Sequence, residues 1–154
     1  MRKNIVYTLF FLLLPSAWTQ TVPPEWKVVK DSKGACQIAV PPDWSPFADS
    51  AGAAVFQGPT TAIATVTSQP GQAFKPMTEY LQKVLEISKE KMFENTAKRI
   101  FYQDKVSKNA DDPNAYNASV PGKSGTCSCR VVVLPSVAED IAKKIVLSIG
   151  PVPD

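Results

Sequence analysis

The stretch Thr126-Cys127-Ser128-Cys129-Arg130-Val131-Val132-Val133-Leu134 decides the fold class, because it is the longest run of β-strand character in the chain. Alternate side chains of a strand point to opposite faces of its sheet, so Cys127, Cys129, Val131 and Val133 share one face. An apolar face of this kind has to pack against another layer of structure. The sequence therefore predicts a long strand with one face toward a hydrophobic core.

A β-hairpin is predicted upstream of this strand. Residues Trp26–Lys30 and Cys36–Val40 have strand character, and the turn Asp31-Ser32-Lys33-Gly34 between them starts with Asp and ends with Gly. The apolar side chains of the second strand again share one face. Strand character recurs farther along the chain, at residues 53–57, 61–68, 100–106 and 115–120.

Two amphipathic helices are predicted, one in the middle of the chain and one near its end. The first begins at Pro76, a residue that suits the first position of a helix, and its apolar side chains recur at spacings of three and four. These side chains are Met77, Tyr80, Leu81, Val84, Leu85 and Met92. The second helix begins with the capping pair Ser136 and Glu139 and runs through Ile149, after which Gly150-Pro151 stops it.

This order of elements predicts an α+β fold. We expect one antiparallel sheet of about six or seven strands, covered by two main helices, in a single domain over residues 20–154. The strands and helices do not alternate as in a βαβ unit, and a Gly-rich loop followed by a helix is absent from the sequence. The sequence therefore does not support a dinucleotide site or a P-loop.

Residues 1–19 are predicted to be a cleaved signal peptide. Arg2 and Lys3 precede an almost wholly apolar run from Ile5 to Leu14, and small residues follow it. A run of about ten apolar residues is too short for a membrane span, which needs about 20, but it fits the centre of a secretory signal. We therefore expect a secreted or periplasmic protein whose only relation to a membrane is its export.

Composition excludes several classes of function. The chain contains no histidine, so an imidazole general base or an imidazole metal ligand is impossible. Of the 17 basic side chains, Arg2 and Lys3 lie in the leader, and the remaining 15 balance 14 acidic ones. Such a balance does not indicate a nucleic-acid-binding protein, which needs concentrated basic surface. We expect no cofactor and no catalytic residues.

The chain resembles the PsbP-like family of exported α/β domains. The resemblance lies in Trp26, in the run Gly34-Ala35-Cys36-Gln37-Ile38-Ala39-Val40-Pro41-Pro42-Asp43-Trp44, in the central helix near Tyr80-Leu81, and in the last helix around Ala142–Ile149. It implies an αβα sandwich that binds a partner protein or a ligand and is not an enzyme. The metal sites of the family's photosystem member use histidine in part, so none of its functional residues are transferred to this chain.

The three cysteines offer four interpretations. In an oxidising compartment, Cys36 can form a disulfide with Cys127 or with Cys129, because all three are expected on core-facing strand positions. Alternatively, the pair Cys127 and Cys129 could bind a soft metal such as Cu(I) or act as a redox dithiol. The fourth interpretation is that all three are buried small hydrophobic residues.

Aromatic residues offer a second candidate site. Trp26 and Trp44, with Phe47 and Tyr116, could stack on a sugar or another flat ligand if they are exposed together. Core packing is the alternative for these residues at strand ends. Taken together, the sequence predicts an exported, monomeric, non-enzymatic accessory or binding protein whose partner is an unidentified protein or small ligand. The alternative is a small thiol-redox or soft-metal-binding protein that uses Cys127 and Cys129.

Overall fold

The computed structural model describes residues 22–50, 53–59, 62–107, 109, 112–134 and 138–154. The signal peptide predicted over residues 1–19 lies outside the described residues, as does Ser136 of the predicted capping pair. β-strands are the main regular structure of the described residues.

Ten strands and one α-helix are described. The strands are β1 (Lys27–Lys30), β2 (Cys36–Val40), β3 (Ser45–Ser50), β4 (Ala53–Gln57), β5 (Ile63–Pro70), β6 (Met92–Asn95), β7 (Ile100–Lys105), β8 (Asn114–Pro121), β9 (Gly125–Val132) and β10 (Gly150–Pro151). The α-helix α1 spans Glu139–Leu147. A short π-helix at Tyr80–Val84 and a 3₁₀ turn at Lys89–Lys91 lie between β5 and β6.

The strands form two antiparallel sheets. The large sheet has seven strands in the order β3-β4-β5-β9-β8-β7-β6, and the small sheet has three in the order β1-β2-β10. The antiparallel α+β architecture is thus confirmed, but the prediction of one sheet is wrong for the β1–β2 hairpin. Ile38 and Val40 of β2 pack face to face on the large sheet, since they belong to the same buried cluster as its core-facing residues.

The main core lies between the inner face of the large sheet and a layer made of the small sheet and α1. Val66 of β5 and Val131 of β9 have no exposed surface and pack in one cluster with Val40 of β2 and with Ile145 and Val146 of α1. Each fully buried aliphatic side chain contributes about 1.5–3 kcal/mol to folding. Helix α1 is shorter than predicted at both ends, and Ala138 caps it without a side-chain hydrogen bond.

A second, smaller cluster covers part of the outer face of the large sheet. Leu81, Ile87 and Ile100 are its buried members. The long central helix predicted from Pro76 is wrong, because only a helical turn and the π-helix form before Glu86 adopts a φ of 55°. This left-handed conformation ends the helix and lets the Ile87 side chain pack back on the sheet. The N–H of Ile87 donates to the carbonyl of Leu81 in the π-helix at 2.8 Å.

Candidate functional site

A large cleft lies between the outer face of the large sheet and the chain segment 72–84 that crosses it. We call it the sheet cleft, and its volume is about 1360 Å³. The outer faces of β5, β9 and β8 form its floor, while segment 72–84 forms one wall. Because the smaller apolar cluster covers only the side of the sheet near β7, the central strands keep an uncovered outer face.

The floor of the sheet cleft is polar. On each of its three strands, the residues that line the cleft alternate with residues buried in the main core. We use the name polar floor for six of the residues that line the cleft on these strands: Thr65, Thr67, Asn117, Ser119, Ser128 and Arg130. All of them except Asn117 are half-buried, so their polar groups are within reach of a molecule that enters the cleft.

One row of the floor holds a charged network. The register places Thr65, Arg130 and Asn117 side by side on β5, β9 and β8. Arg130 Nη1 donates to Asp104 Oδ2 and to Asn117 Oδ1, at 2.8 Å each, and Asn117 Nδ2 donates to Asp104 Oδ1 at 2.9 Å. The guanidinium is thereby held in one orientation, and its charge is balanced within the protein.

Tyr102 borders this network on β7. Its register partner is Asn117, and it also packs against the smaller apolar cluster. Burial raises the pKa of Tyr102 to about 12, and the neighbouring carboxylate of Asp104 acts in the same direction while Arg130 opposes it. Tyr102 therefore stays protonated at neutral pH and presents a hydroxyl rather than a phenolate.

The adjacent row of the floor holds hydroxyl groups. Ser119 Oγ and Ser128 Oγ lie 2.8 Å apart across β8 and β9, and Thr67 Oγ1 donates to the carbonyl of Ser128 at 3.4 Å. A serine hydroxyl can donate one hydrogen bond and accept two, so the serine pair leaves capacity for a further partner. This row can therefore bind a ligand group that both donates and accepts.

The wall of the cleft is partly apolar and is fixed to the sheet at several points. Tyr80 and Val84 line the cleft and are 48% and 61% exposed, whereas Leu81 between them is fully buried. Asn95 Oδ1 accepts from the backbone N–H of Met77 at 3.1 Å, and Thr126 Oγ1 donates to the carbonyl of Gln72 at 3.0 Å. The π-helix thus buries the side chain of Leu81 and leaves Tyr80 lining the cleft.

The predicted disulfide is present, and it joins Cys36 to Cys127. The two Cα atoms are 5.5 Å apart, and the bridge links β2 of the small sheet to β9 of the large sheet. Cys129 is free and buried, and burial raises the pKa of its thiol. Cys127 and Cys129 therefore do not form a dithiol. A disulfide of this kind is typical of an oxidising environment.

The two tryptophans named as candidate ligand-facing residues lie in or against the core. Trp44 is 2% exposed and packs over Gly58, so its ring cannot stack on a ligand at the surface. Trp26 is half-buried and packs against the main core. Tyr116 is also buried, and its hydroxyl donates to Glu139 Oε2 at 2.8 Å, whereas Phe47 is 63% exposed. The structure does not join these four residues into one exposed aromatic site.

The described part of the chain contains no candidate metal site and no candidate membrane-spanning helix. Across residues 22–154 apart from the gaps given above, histidine, cysteine, aspartate and glutamate side chains form no group of three or more that could hold a metal ion. Within those same residues, no helix has both the length and the apolar character needed to cross a membrane.

The polar floor is not among the sites predicted from the sequence, although the alternation of side chains along the strands indicates it. The alternation that predicts a buried face for Cys127 and Val131 also places Ser128 and Arg130 on the opposite face. Equivalent polar positions occur on two other predicted strands. The sequence does not indicate that these strands are neighbours, and this adjacency creates the site.

Comparisons with known proteins support the fold only. No family model matches the chain, and no curated protein matches it. The chain is similar to a crystal structure of a protein from Bacteroides thetaiotaomicron VPI-5482, with a TM-score of 0.54 and 14% sequence identity. The likeness covers 82% of this chain and 48% of the other, so this chain spans about half the length of that protein.

Proposed function

We propose that this protein is an exported, non-enzymatic binding protein and that the sheet cleft is its ligand site. The observation that carries the proposal is the polar floor, in which hydroxyl, amide and guanidinium groups of three adjacent strands face a large open cavity. An outer sheet face that serves only to contact solvent needs no cavity above it. Concave sites with a few convergent polar groups and apolar walls are typical of ligand binding.

The state of the charged groups in the cleft supports binding rather than catalysis. Arg130 pairs with Asp104 at 2.8 Å, and Lys83 pairs with Glu79 at 2.8 Å. An arginine stays protonated in a protein, and both carboxylate oxygens of Asp104 already accept hydrogen bonds from Arg130 and Asn117, so this pair offers no free general base. We do not propose the thiol-redox or soft-metal alternative, because Cys127 is bonded to Cys36 and Cys129 is buried.

Export is the second part of the proposal. The leader predicted over residues 1–19 would deliver the protein to the periplasm or the medium, and the disulfide between Cys36 and Cys127 is suited to either compartment. The resemblance to the PsbP-like family belongs to the same proposal, as a family of exported αβα domains that bind partners. Mass spectrometry of the exported protein tests this part, and a protein that still begins at Met1 would contradict it.

The ligand site can be tested by nuclear magnetic resonance with a panel of small probes. The panel contains methyl β-glucoside, methyl α-mannoside and cellobiose as neutral polyols, inorganic phosphate as an anion, and triglycine as a peptide. We expect at least one probe to shift the amide signals of Thr67, Ser119 and Ser128. The signals of Lys123 and Ser124, which lie outside the sheet cleft, serve as the internal control. If every probe leaves the floor signals unchanged, the sheet cleft is not a site for these ligand classes and the proposal fails.

A further inference from the structure

We infer that the ligand of the sheet cleft is a neutral carbohydrate, held by hydrogen bonds to the polar floor and by stacking of a pyranose ring on Tyr80. This inference rests on the proposed function, because it names the ligand class of the same site. Three observations carry it: the backbone of the floor is already paired, its charges are balanced, and its wall exposes an aromatic ring.

The floor cannot bind a peptide by strand addition. Strands β5, β9 and β8 occupy central positions of the large sheet, and each pairs with a neighbour on both sides. Their backbone N–H and C=O groups are therefore used within the sheet, whereas strand addition needs a free sheet edge. A ligand on the floor has to be recognised by side chains alone.

The side chains of the floor match the hydrogen-bonding character of a sugar. The hydroxyl groups of Thr67, Ser128 and Ser119 use two of their three protons within the row, which leaves one proton and several lone pairs for a ligand. Sugar hydroxyls both donate and accept, so neighbouring ring hydroxyls can extend the Ser119–Ser128 hydrogen bond of 2.8 Å. A carboxylate ligand only accepts hydrogen bonds at neutral pH, so it would leave the acceptor sites of this row without a donor.

The electrostatics of the cleft also favour a neutral ligand. Asp104 balances Arg130 on the floor, and Glu79 balances Lys83 on the wall. Lys75 adds a cation at the edge of the cleft, but its side chain is exposed and solvent screens its charge. Binding an anion would require Arg130 to share its guanidinium between the ligand and Asp104.

Tyr80 supplies the apolar part of the site. The residue is 48% exposed, lines the cleft and belongs to neither buried cluster, so packing of the core does not explain its position. The face of an aromatic ring suits the C–H groups on one face of a pyranose, while its hydroxyl can bind at the rim. The cleft volume of about 1360 Å³ exceeds the range of about 300–1,000 Å³ typical of small-molecule pockets, which favours a chain of sugars over one ring.

The test is the affinity of the probe panel for wild-type protein and for cleft variants. We expect the neutral polyols to bind, with cellobiose tighter than methyl β-glucoside, and phosphate and triglycine to leave the floor signals unchanged. Tyr80→Ala should weaken sugar binding by about threefold to tenfold, which corresponds to the usual energy of an aromatic contact. Tyr80→Phe should retain most of the affinity, and Ser128→Ala should lose about threefold to tenfold because one hydroxyl partner is removed.

The control variant is Phe47→Ala, because Phe47 is an exposed aromatic residue outside the cleft. The sugar affinity of this variant should equal that of the wild type. Thermal unfolding of each variant shows whether the fold is intact. Binding of phosphate or triglycine in place of the sugars would overturn this inference but leave the proposed function standing. Sugar binding that is unaffected by Tyr80→Ala would overturn the stacking arrangement. If no probe binds, both the inference and the proposed function fail.

Discussion

Gly58 makes room for the largest buried side chain of the protein. A Cβ atom at position 58 would lie 2.3 Å from Cε2 of the Trp44 ring, which is held in the core and cannot move away without a shift of its neighbours. We expect Gly58→Ala to lower the free energy of unfolding by about 1–3 kcal/mol, because overpacking forces such shifts. Urea denaturation measures the change.

The control for this variant is Gly150→Ala. An added Cβ at Gly150 meets no atom within 4 Å, and we expect its effect to stay within about 0.5 kcal/mol. Equal unfolding midpoints for the two glycine variants would show that the Trp44 ring does not constrain position 58.

Asp31 fixes the turn of the β1–β2 hairpin and ties it to the large sheet. Burial raises the pKa of this carboxyl, but hydrogen bonds from the Cys36 N–H, the Ser68 hydroxyl and the N–H groups of Ala35 and Lys33 outweigh burial, so the pKa lies below its usual value. A pKa that is lower in the folded state than in the unfolded state stabilises the protein above the unfolded value of about 3.9. This stabilisation is lost as the pH falls through the folded pKa.

Replacing Asp31 by Asn therefore has two expected effects. The free energy of unfolding at pH 7 should fall by about 1–3 kcal/mol, because an acceptor of several charge-assisted hydrogen bonds is removed. The variant should also lose less stability than the wild type between about pH 4 and pH 2. Urea denaturation across this range measures both, with the exposed carboxylate variant Asp43→Asn as the control. If the pH profiles of Asp31→Asn and the wild type run parallel, the linkage described for Asp31 is absent.

The π-helix is anchored by one side chain. Leu81 is fully buried against Ile87 and Ile100, whereas Val84 on the same helix is 61% exposed. We expect Leu81→Ala to cost about 2–5 kcal/mol and to speed amide hydrogen exchange over residues 72–88. Val84→Ala should change neither quantity. Hydrogen exchange followed by mass spectrometry makes the comparison, and unchanged protection in Leu81→Ala would show that other contacts hold the wall of the cleft.

The strands of this protein are more predictable from sequence than its helices. The hairpin strands, β4, β8 and β9 lie within two residues of their predicted bounds, because runs of strand-forming residues bounded by turn residues mark each of them. The apolar spacing from Met77 to Met92 fits a helix equally well, but the chain breaks at Glu86 to return Ile87 to the sheet. The packing of Ile87 with Leu81 and Ile100 therefore overrides the helical spacing of the local sequence.

Three strands and the candidate site depend on information that is not local. β3, β6 and β10 are edge strands, and Pro46 and Pro151 weaken the strand character of two of them. The sequence does not show whether β2 pairs at the edge of the large sheet or belongs to a second sheet that packs on it. Side chains that alternate along a strand fit both arrangements. The polar floor follows from the alternation on each strand, but its cleft exists only because β5, β9 and β8 are adjacent.

At the scale of the whole molecule, the two faces of the large sheet have different surroundings. Its inner face packs on the small sheet and α1 and buries most of the apolar side chains. Its outer face is polar at the centre and covered only near β7. Because one face supplies the stability, substitutions at exposed positions of the other face should have little effect on folding. The disulfide supports this arrangement from the inner side.

The bridge between Cys36 and Cys127 joins the two sheets across a sequence separation of 91 residues. Closing so long a loop restricts the unfolded chain, and its removal should lower the free energy of unfolding by about 4 kcal/mol on the chain-entropy model. We expect reduction and the double variant Cys36→Ala/Cys127→Ala to lower the unfolding midpoint, and reduction to have no effect on that variant. The chain has three cysteines, so unreduced protein in denaturant should titrate one thiol, from Cys129. Three titratable thiols would mean that the sheets are held together by packing alone.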